Sequence, residues 1–485
     1  MFKLFKNISI YSFGNILNKG VMFLLLPLYT RVLQPADYGK LELVYLVGSI
    51  LAILYGLYVE NGYNRIFFIS KDAGYRKILF STGQGFNLFC SLVFASLMIL
   101  NANWIAVKIF NFPEGVLYLR LIIFSTVIEV MTHIPFNNIR IRQKAKIYVA
   151  VNLFKLILIT GLTVYLVAFA HQGVAGVLNA RIIGGSITLG LLYYVTRHEY
   201  SLGFSFSQLK IMLGFSFFLI LPGLSALILN MSNRYFLQEF QTLEDVGLYS
   251  LGAKLAGIIP FLFTEPVKKA FSPYLFEQID NPDECKKTLA NFSRIFLAVL
   301  SVIALSVSLF SRELIMVMSD QSYSGSHTIV FVLSVSYLFL GLSGIIVMGI
   351  HITRKTWIVT LIWPISAIAN ILFNIWLIPV YGRMGAAIAT LLSVIVINFS
   401  YFYALNKVYP VKFEYFIFFK ILILMIIFNY VGTFIRWEII PSILIKSLLL
   451  LMFLVALYYS GIFKKDELLK GKSILLRKIH RKSNK

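Results

Sequence analysis

Five cationic side chains lie inside segments that are otherwise apolar enough to span a membrane: Lys19, Arg120, Lys155, Arg181 and Lys254. A charge at the centre of a bilayer costs about 2.5–3.5 kcal/mol on insertion scales, so five of them facing lipid would cost as much as the stability of a whole domain. Because a shared polar cavity removes this cost, we expect these side chains to line one. A positive cavity inside a membrane favours an anionic cargo, and the sequence therefore predicts a transporter.

The same five cations also have a structural interpretation. Four of them could instead pair with polar groups on neighbouring helices. Arg120 lies only about one helical turn inside its span, so its side chain could extend to the membrane interface. Gly184 and Gly185 follow Arg181 by about one turn, and glycines at such positions allow helix backbones to approach closely.

Three carboxylates near the same spans, Glu129, Glu60 and Glu42, are candidates for ion coupling, because a buried acid can bind and release a proton. Glu129 and His133 have the i, i+4 spacing that brings side chains together on a helix. We expect Glu129 to serve mainly as the partner of a cation in the cavity. Glu60 and Glu42 lie at opposite ends of one span and could be ordinary interfacial charges.

The composition is typical of an all-α polytopic membrane protein. Hydrophobic residues make up 59% of the 485 positions and charged residues 13%, whereas soluble domains carry about 25% charged residues. The two cysteines, Cys90 and Cys285, are far apart and lack metal-ligand partners, so we expect neither a disulfide nor a metal site. We also expect no cofactor and no catalytic residue, but an H⁺ or Na⁺ gradient could drive transport.

Hydropathy and breaker residues predict about fourteen membrane spans. They lie near residues 9–30, 41–62, 80–101, 116–139, 148–168, 174–195, 211–233, 246–267, 291–310, 327–350, 357–378, 384–405, 415–435 and 439–462. The first segment lacks a small-residue cleavage site, so we expect a retained helix and not a signal peptide. Asn370 and Asn374 share one face of the eleventh span, where hydrogen bonds between helices are expected more than cargo contacts.

The loop charges predict the orientation of the chain. Most of the 44 lysines and arginines lie on one side of the predicted spans, which places both termini in the cytoplasm. This bias accounts for most of the net charge of +23 without a nucleic-acid partner. The basic tail, residues 464–485, is either an amphipathic segment on the anionic membrane surface or a disordered solubilising tail.

Two short motifs recur at nearly equal offsets. Asp37-Tyr38-Gly39 recurs as Asp245-Val246-Gly247, and Gly173-x-x-Gly176 recurs as Gly382-x-x-Gly385. Both pairs occupy equivalent places in two six-helix halves, which is typical of a parallel repeat with cargo bound between the halves. The repeat predicts an N-lobe at residues 1–203, a C-lobe at 204–410, a helix pair at 411–463 and the tail at 464–485.

Three stretches resemble signatures of the polysaccharide and O-antigen flippases, which belong to the multidrug/oligosaccharidyl-lipid/polysaccharide (MOP) exporter superfamily. The first is PLYTRVLQPADYG at 27–39 and the second is GLYSLGAK at 247–254. The third is NILFN at 370–374 followed by LIPVYGRMGAAIAT at 377–390. This resemblance implies two six-helix lobes in a V, as in MATE transporters, with two further C-terminal helices like those of the lipid II flippases.

The resemblance also implies a function. It predicts a flippase of the bacterial inner membrane that moves an undecaprenyl-pyrophosphate-linked oligosaccharide from the cytoplasmic to the periplasmic leaflet by alternating access. The partners would be that cargo, membrane lipids and, for O-antigen or capsule synthesis, a polysaccharide polymerase and a chain-length regulator. Alternatives are a lipid II flippase with a peptidoglycan precursor as cargo and a MATE-type multidrug exporter. A membrane enzyme is disfavoured, because the outward loops are short and the six histidines are scattered.

Overall fold

The computed structural model describes residues 25–435 and 437–462, and within them 87% of the chain is helical and no strand is present. The first helices are α1 Leu26–Val32, α2 Pro35–Gly56, α3 Val59–Ile66, α4 Ala73–Leu100, α5 Ala102–Ile109, α6 Gly115–Met131, α7 His133–Ile141, α8 Ala145–Val164 and α9 Gly173–Thr196. They are followed by α10 Phe206–Phe240, α11 Leu243–Ala256, α12 Glu265–Phe276, α13 Pro282–Leu309, α14 Ser311–Met318, α15 Val330–Ile352, α16 Trp357–Val408, α17 Tyr415–Thr433 and α18 Ile439–Tyr459. Short 3₁₀ or π segments cover Tyr165–Phe169, Arg197–Glu199, Pro260–Thr264 and Gln321–Ile329.

The predicted all-α membrane fold is confirmed, and the predicted count of spans is close. The described residues contain 12 helices that are long and apolar enough to cross a membrane. One of them, α16, has 52 residues and non-helical φ and ψ angles at Gly382, so two predicted spans are joined there across a kink. The predicted first span lies largely outside the described residues.

Several helices begin where the sequence supplies the missing hydrogen-bond partners. The side chains of Asp72, Ser205 and Asn281 accept backbone N–H groups at the starts of α4, α10 and α13. Proline opens α2 and α13, where its fixed φ fits and its missing N–H is not needed. These local signals fix where the long apolar helices begin.

The described chain forms two compact units. The first comprises the chain up to Ser250 together with Met318–Tyr323 and Trp363–Ala386. The second comprises Leu251–Val317, Ser324–Ile362 and the chain from Ala387 onward. Polar side chains join the helices inside the first unit: Asn374 donates to Asn233 at 2.7 Å, and Ser232 donates to Asn370 at 2.9 Å. The predicted interhelical hydrogen bonding of Asn370 and Asn374 is thus confirmed.

Two glycines of the repeated motifs, Gly39 and Gly247, lie at a close helix contact inside the first unit. A Cβ on Gly39 would stand 2.1 Å from the carbonyl oxygen of Leu243, and one on Gly247 would stand 1.9 Å from that of Pro35. Gly39 thus packs against Leu243, which lies four residues before its repeat counterpart Gly247. Gly247 packs in turn against Pro35, which lies four residues before Gly39. The starts of α2 and α11 therefore meet symmetrically. The two glycines of the second repeated motif share a positive φ angle, which is 54° at Gly173 and 52° at Gly382.

Gly39→Ala and Gly247→Ala are each expected to destabilise the protein by about 1–3 kcal/mol, as overpacking does, because the new methyl group would overlap a carbonyl oxygen. Gly190→Ala in α9 is the matched control, since nothing lies within 4 Å of its added Cβ and alanine favours helix. Thermal unfolding of the purified protein in detergent measures the difference. Equal melting temperatures for the three variants would contradict the close contact between α2 and α11.

Candidate functional site: a cation cluster in the first unit

Arg181 and Glu129 form an ion pair between two helices of the first unit. The Nη2 atom of Arg181 on α9 lies 2.6 Å from Oε2 of Glu129 on α6. The guanidinium also stacks over the ring of Tyr45 on α2, with 4.9 Å between its Cζ and the ring centroid. The side chains remain 27% and 41% accessible, so the pair is only partly buried. The predicted pairing of Glu129 with a cation is confirmed.

Lys155 joins this pair from α8. It is an electrostatic neighbour of both Glu129 and Arg181, and its Nζ lies 5.9 Å from the centroid of the Phe136 ring. His133, at the start of α7, is a further electrostatic neighbour of Glu129. We call Arg181, Lys155 and Glu129 the cation cluster. With two cations around one carboxylate, the cluster keeps an excess positive charge.

Glycines on α9 place the cluster. A Cβ on Gly184 would stand 2.6 Å from Cγ1 of Ile159, and one on Gly185 would stand 3.0 Å from Cγ2 of Ile128. Ile159 follows Lys155 by one turn of α8, and Ile128 directly precedes Glu129 on α6. The close approach that glycine permits therefore brings Arg181, one turn earlier on α9, level with both charged partners.

Of the four predicted cations in the described part of the chain, the structure brings Arg181 and Lys155 together. Arg120 is exposed near the start of α6, nine residues or about 14 Å along the helix from Glu129. Lys254 is half-buried on α11 and belongs to the second unit. Lys19 lies outside the described residues. A role in cargo binding stays a prediction for all five.

The other two predicted carboxylates differ in their surroundings. Glu42 on α2 is buried in an ion pair with Arg234 on α10, at 3.0 Å between Oε2 and Nε. The predicted span 211–233 ends just before Arg234 and so leaves it outside the membrane. The helix in fact continues to Phe240, and Arg234 is only 6% exposed. Glu60, at the start of α3, instead lines a cavity together with His133.

A second buried ion pair lies in the second unit and was missed by sequence analysis. The Nζ of Lys446 on α18 lies 2.6 Å from Oε1 of Glu313 on α14, and Ser442 donates to the same oxygen. Burial alone would raise the pKa of Glu313, but the hydrogen bonds from Lys446 and Ser442 lower it below its usual range. The pair ties the last membrane helix to the second unit. In residues 25–435 and 437–462, no group of three His, Cys, Asp or Glu side chains could hold a metal ion.

A family model described as polysaccharide biosynthesis protein matches residues 28–328, which is more than half of the chain. The chain belongs to this family. The resemblance of the three sequence signatures to polysaccharide flippases is confirmed at the level of family and superfamily. The matched residues include the whole cation cluster, so the cluster lies within the family's shared region.

Two curated relatives of this polysaccharide biosynthesis protein come from Haemophilus influenzae. One, an uncharacterized membrane protein, is 25% identical over 357 residues, which cover 70% of this chain and 82% of the relative. The other, "Lsg locus putative protein 1", is 23% identical over 398 residues, which cover 79% and 95%. Together with the twelve candidate spans, the family identifies the chain as a multi-pass membrane protein.

Solved structures of the MOP superfamily share the fold. The inward closed conformation of the lipid II flippase MurJ matches with a TM-score of 0.75 and 14% identity, over 95% of this chain and 100% of that one. An inward-facing multidrug resistance MATE transporter matches with a TM-score of 0.66 and 12% identity, over 83% and 98%. The predicted MATE-like fold is therefore confirmed.

The buried pair of Glu42 and Arg234 gives a test of the first unit. Arg234→Met is expected to cost about 3–5 kcal/mol of unfolding free energy, because it leaves the charge of Glu42 buried without its partner. The double variant Glu42→Leu/Arg234→Met is expected to recover most of that loss. Denaturant unfolding in detergent measures all three proteins.

Lys40→Met is the control for this series. Lys40 pairs at 3.4 Å with Glu114, whose side chain is 45% exposed, so its loss is expected to cost about 0–1 kcal/mol. A double variant no more stable than Arg234→Met alone would show that the lost stability comes from packing and not from an unpaired charge.

Proposed function

We propose that this polysaccharide biosynthesis protein is a flippase for a lipid-linked oligosaccharide in the bacterial inner membrane. Its cargo is an undecaprenyl-pyrophosphate-linked repeat unit, moved from the cytoplasmic to the periplasmic leaflet for O-antigen or capsule synthesis. The proposal rests on one observation: Arg181 and Lys155 surround a single carboxylate among apolar helices, in a chain of a polysaccharide biosynthesis family.

The cation cluster suits a pyrophosphate. This headgroup is multiply charged and cannot enter hydrocarbon unaccompanied. Arg181 offers a planar fork of donors that fits phosphate oxygens, and Lys155 adds a second charge. Glu129 is the counter-ion of Arg181 in the structure. An arriving pyrophosphate exchanges one anion for another at Arg181, so the cost of stripping water from the guanidinium is already met.

The remaining parts of the proposal concern orientation and partners. The excess of lysine and arginine in the loops of one side supports cytoplasmic termini. Six-helix lobes at residues 1–203 and 204–410 would alternate access to the cluster, with helices at 411–463 and the basic tail outside them. A polysaccharide polymerase and a chain-length regulator would use the delivered repeat units.

A lipid II flippase is the second candidate function. The specific support is the similarity to MurJ, which extends over 95% of this chain, compared with 83% for the MATE transporter. The chemistry at the cation cluster would be the same, because a lipid-linked pyrophosphate is again the anion. The two candidates differ only in the glycan, which a cellular assay separates.

A gene deletion tests the proposal. Loss of the protein is expected to accumulate the undecaprenyl-pyrophosphate glycan on the cytoplasmic leaflet and to remove the glycan from the cell surface. Arg181→Ala is expected to restore export to a level at least about tenfold below that of wild type, because it removes charge-assisted hydrogen bonds worth about 1.5–3 kcal/mol. Arg181→Lys keeps the charge without the fork and should restore export partly.

Lys108→Ala is the control for this assay, because Lys108 is an exposed cation outside the cluster. It should export like wild type at equal expression. Accumulation of a peptidoglycan precursor instead of the surface glycan precursor would favour the lipid II flippase. Normal surface glycan in the deletion strain, with no second flippase present, would show that the proposed function is wrong.

A further inference from the structure

The second predicted span is broken in the middle. Sequence analysis predicts one helix near 41–62, but α2 ends at Gly56 and α3 begins at Val59. The two residues between them, Leu57 and Tyr58, have φ angles of 42° and 55°, in the left-handed region that non-glycine residues rarely adopt. Such backbone is retained only when the surroundings enforce it, and it is found mostly at functional sites.

Helix α10 enforces this break. The hydroxyl of Ser216 donates to the carbonyl oxygen of Tyr58 at 2.8 Å, and a Cβ on Gly223 would stand 2.2 Å from the Tyr58 hydroxyl. The N–H of Leu57 donates to Ile53 at 2.8 Å. Irregular backbone at membrane depth is tolerated where it is buried in protein or lines an aqueous cavity. Here it lines a cavity.

The cavity has a volume of about 260 Å³ and is lined by both apolar and polar side chains. Its polar lining consists of Ser49 from α2, Tyr58 from the break, Glu60 from α3 and His133 from α7. A water molecule occupies about 30 Å³ in the liquid, so the space can hold several waters with these groups as partners. Water in this cavity would lie beside the side chains of Glu60 and His133.

Glu60 is the one of the three candidate carboxylates that has no cationic salt-bridge partner among residues 25–435 and 437–462. Glu42 and Glu129 are engaged by Arg234 and Arg181. The Oε2 atom of Glu60 is buried and has no hydrogen-bond partner in the described part of the chain. An unpartnered carboxylate oxygen facing such a cavity needs a positive ligand to compensate its burial.

The groups facing Glu60 identify that ligand. His133 from α7 and Tyr58 from the break are its titratable neighbours. Among the described residues that line the cavity, those from α2 are not titratable, and α10 contributes Gly223 and Leu227. On α4, which also packs against α3, Arg76 lies at the far end beside Phe67 and Ser70.

We propose that Glu60 and His133 together bind one exchangeable proton at the break in the second membrane span. Without it, the pair is a carboxylate beside a neutral imidazole with a net charge of −1. With it, the pair is neutral, whichever of the two groups carries the proton. Histidine favours a proton over Na⁺, because imidazole is a poor ligand for an ion that prefers oxygen and repels it when charged.

His133 connects this proton site to the cation cluster. It is an electrostatic neighbour of Glu129 as well as of Glu60. A protonated His133 gives Glu129 a third positive neighbour, in addition to Arg181 and Lys155, and so weakens the hold of Glu129 on Arg181. Proton binding would thereby make Arg181 more available to an anion. This link to the cargo rests on the proposed function, whereas the proton site itself does not.

Labelling of the full-length protein with dicyclohexylcarbodiimide tests the site, because this reagent attacks protonated carboxyl groups in apolar surroundings. Peptide mass spectrometry follows the labelling of Glu60 in detergent from acidic to alkaline pH. We expect labelling to fall with a single midpoint and to be absent in Glu60→Gln. His133→Ala should move that midpoint upward by about one pH unit or more, because the cation that favours the carboxylate is lost.

His171→Ala is the matched control, since His171 is exposed and lies outside the cavity. It should leave the midpoint unchanged. If His133→Ala also left the midpoint unchanged, His133 would not share the proton with Glu60, and the proposal would be overturned. Suppression of labelling by NaCl, relative to choline chloride at equal ionic strength, would identify a Na⁺ site instead and also overturn the proposal.

Infrared difference spectra across the same pH range cover the case in which the reagent cannot reach Glu60. We expect a carboxyl band and an imidazole band to change together in one pH-dependent step. This joint step should be absent in Glu60→Gln and in His133→Ala. Two independent steps would overturn the proposal. The outcome is separable from the proposed function: a shared proton step in a protein whose deletion leaves surface glycan unchanged would keep the site and reject the flippase.

Discussion

A charged side chain inside a membrane needs either an opposite charge or a polar space, and this constraint organises the helices of the polysaccharide biosynthesis protein. Glu42 with Arg234 and Glu313 with Lys446 are buried one-to-one pairs, each of which joins two helices. The cation cluster is neither one-to-one nor fully buried. Two cations, Arg181 and Lys155, are neighbours of Glu129, and the ion pair of Arg181 with Glu129 remains partly accessible. Charge balance and accessibility together separate the pairs that hold the fold from the cluster that we propose as the anion site.

Small residues decide where these charges meet. Gly184 and Gly185 let α9 approach α8 and α6 closely, and Arg181 stands one turn away on the same helix. Gly39 and Gly247 do the same for the starts of α2 and α11, with a carbonyl oxygen in the place where each Cβ would be. In a bilayer, where apolar surface gives little drive for helices to associate, close backbone contact of this kind supplies the packing that fixes the helix positions. The charged pairs then fall into register.

The sequence predicted those features whose signals are local. Apolar length gave the spans, and Gly184-Gly185 beside Arg181 indicated a close approach that the structure contains. The break at Leu57 and Tyr58 could not be predicted, because both residues favour regular structure and the enforcing contacts come from Ser216 and Gly223, far away in the sequence. The partner of Arg234 was missed for the same reason: a choice of partner depends on packing between distant helices.

Helix α2 connects the sites of the first unit. Tyr38, Glu42, Tyr45 and Ser49 follow one another at three- or four-residue spacing and so lie on one face of that helix. Along this face Glu42 meets Arg234, Tyr45 lies beneath Arg181, and Ser49 lines the cavity of Glu60. The start of the same helix forms the close glycine contact with α11. A single helix thus contributes to the close backbone contact, the cation cluster and the polar cavity.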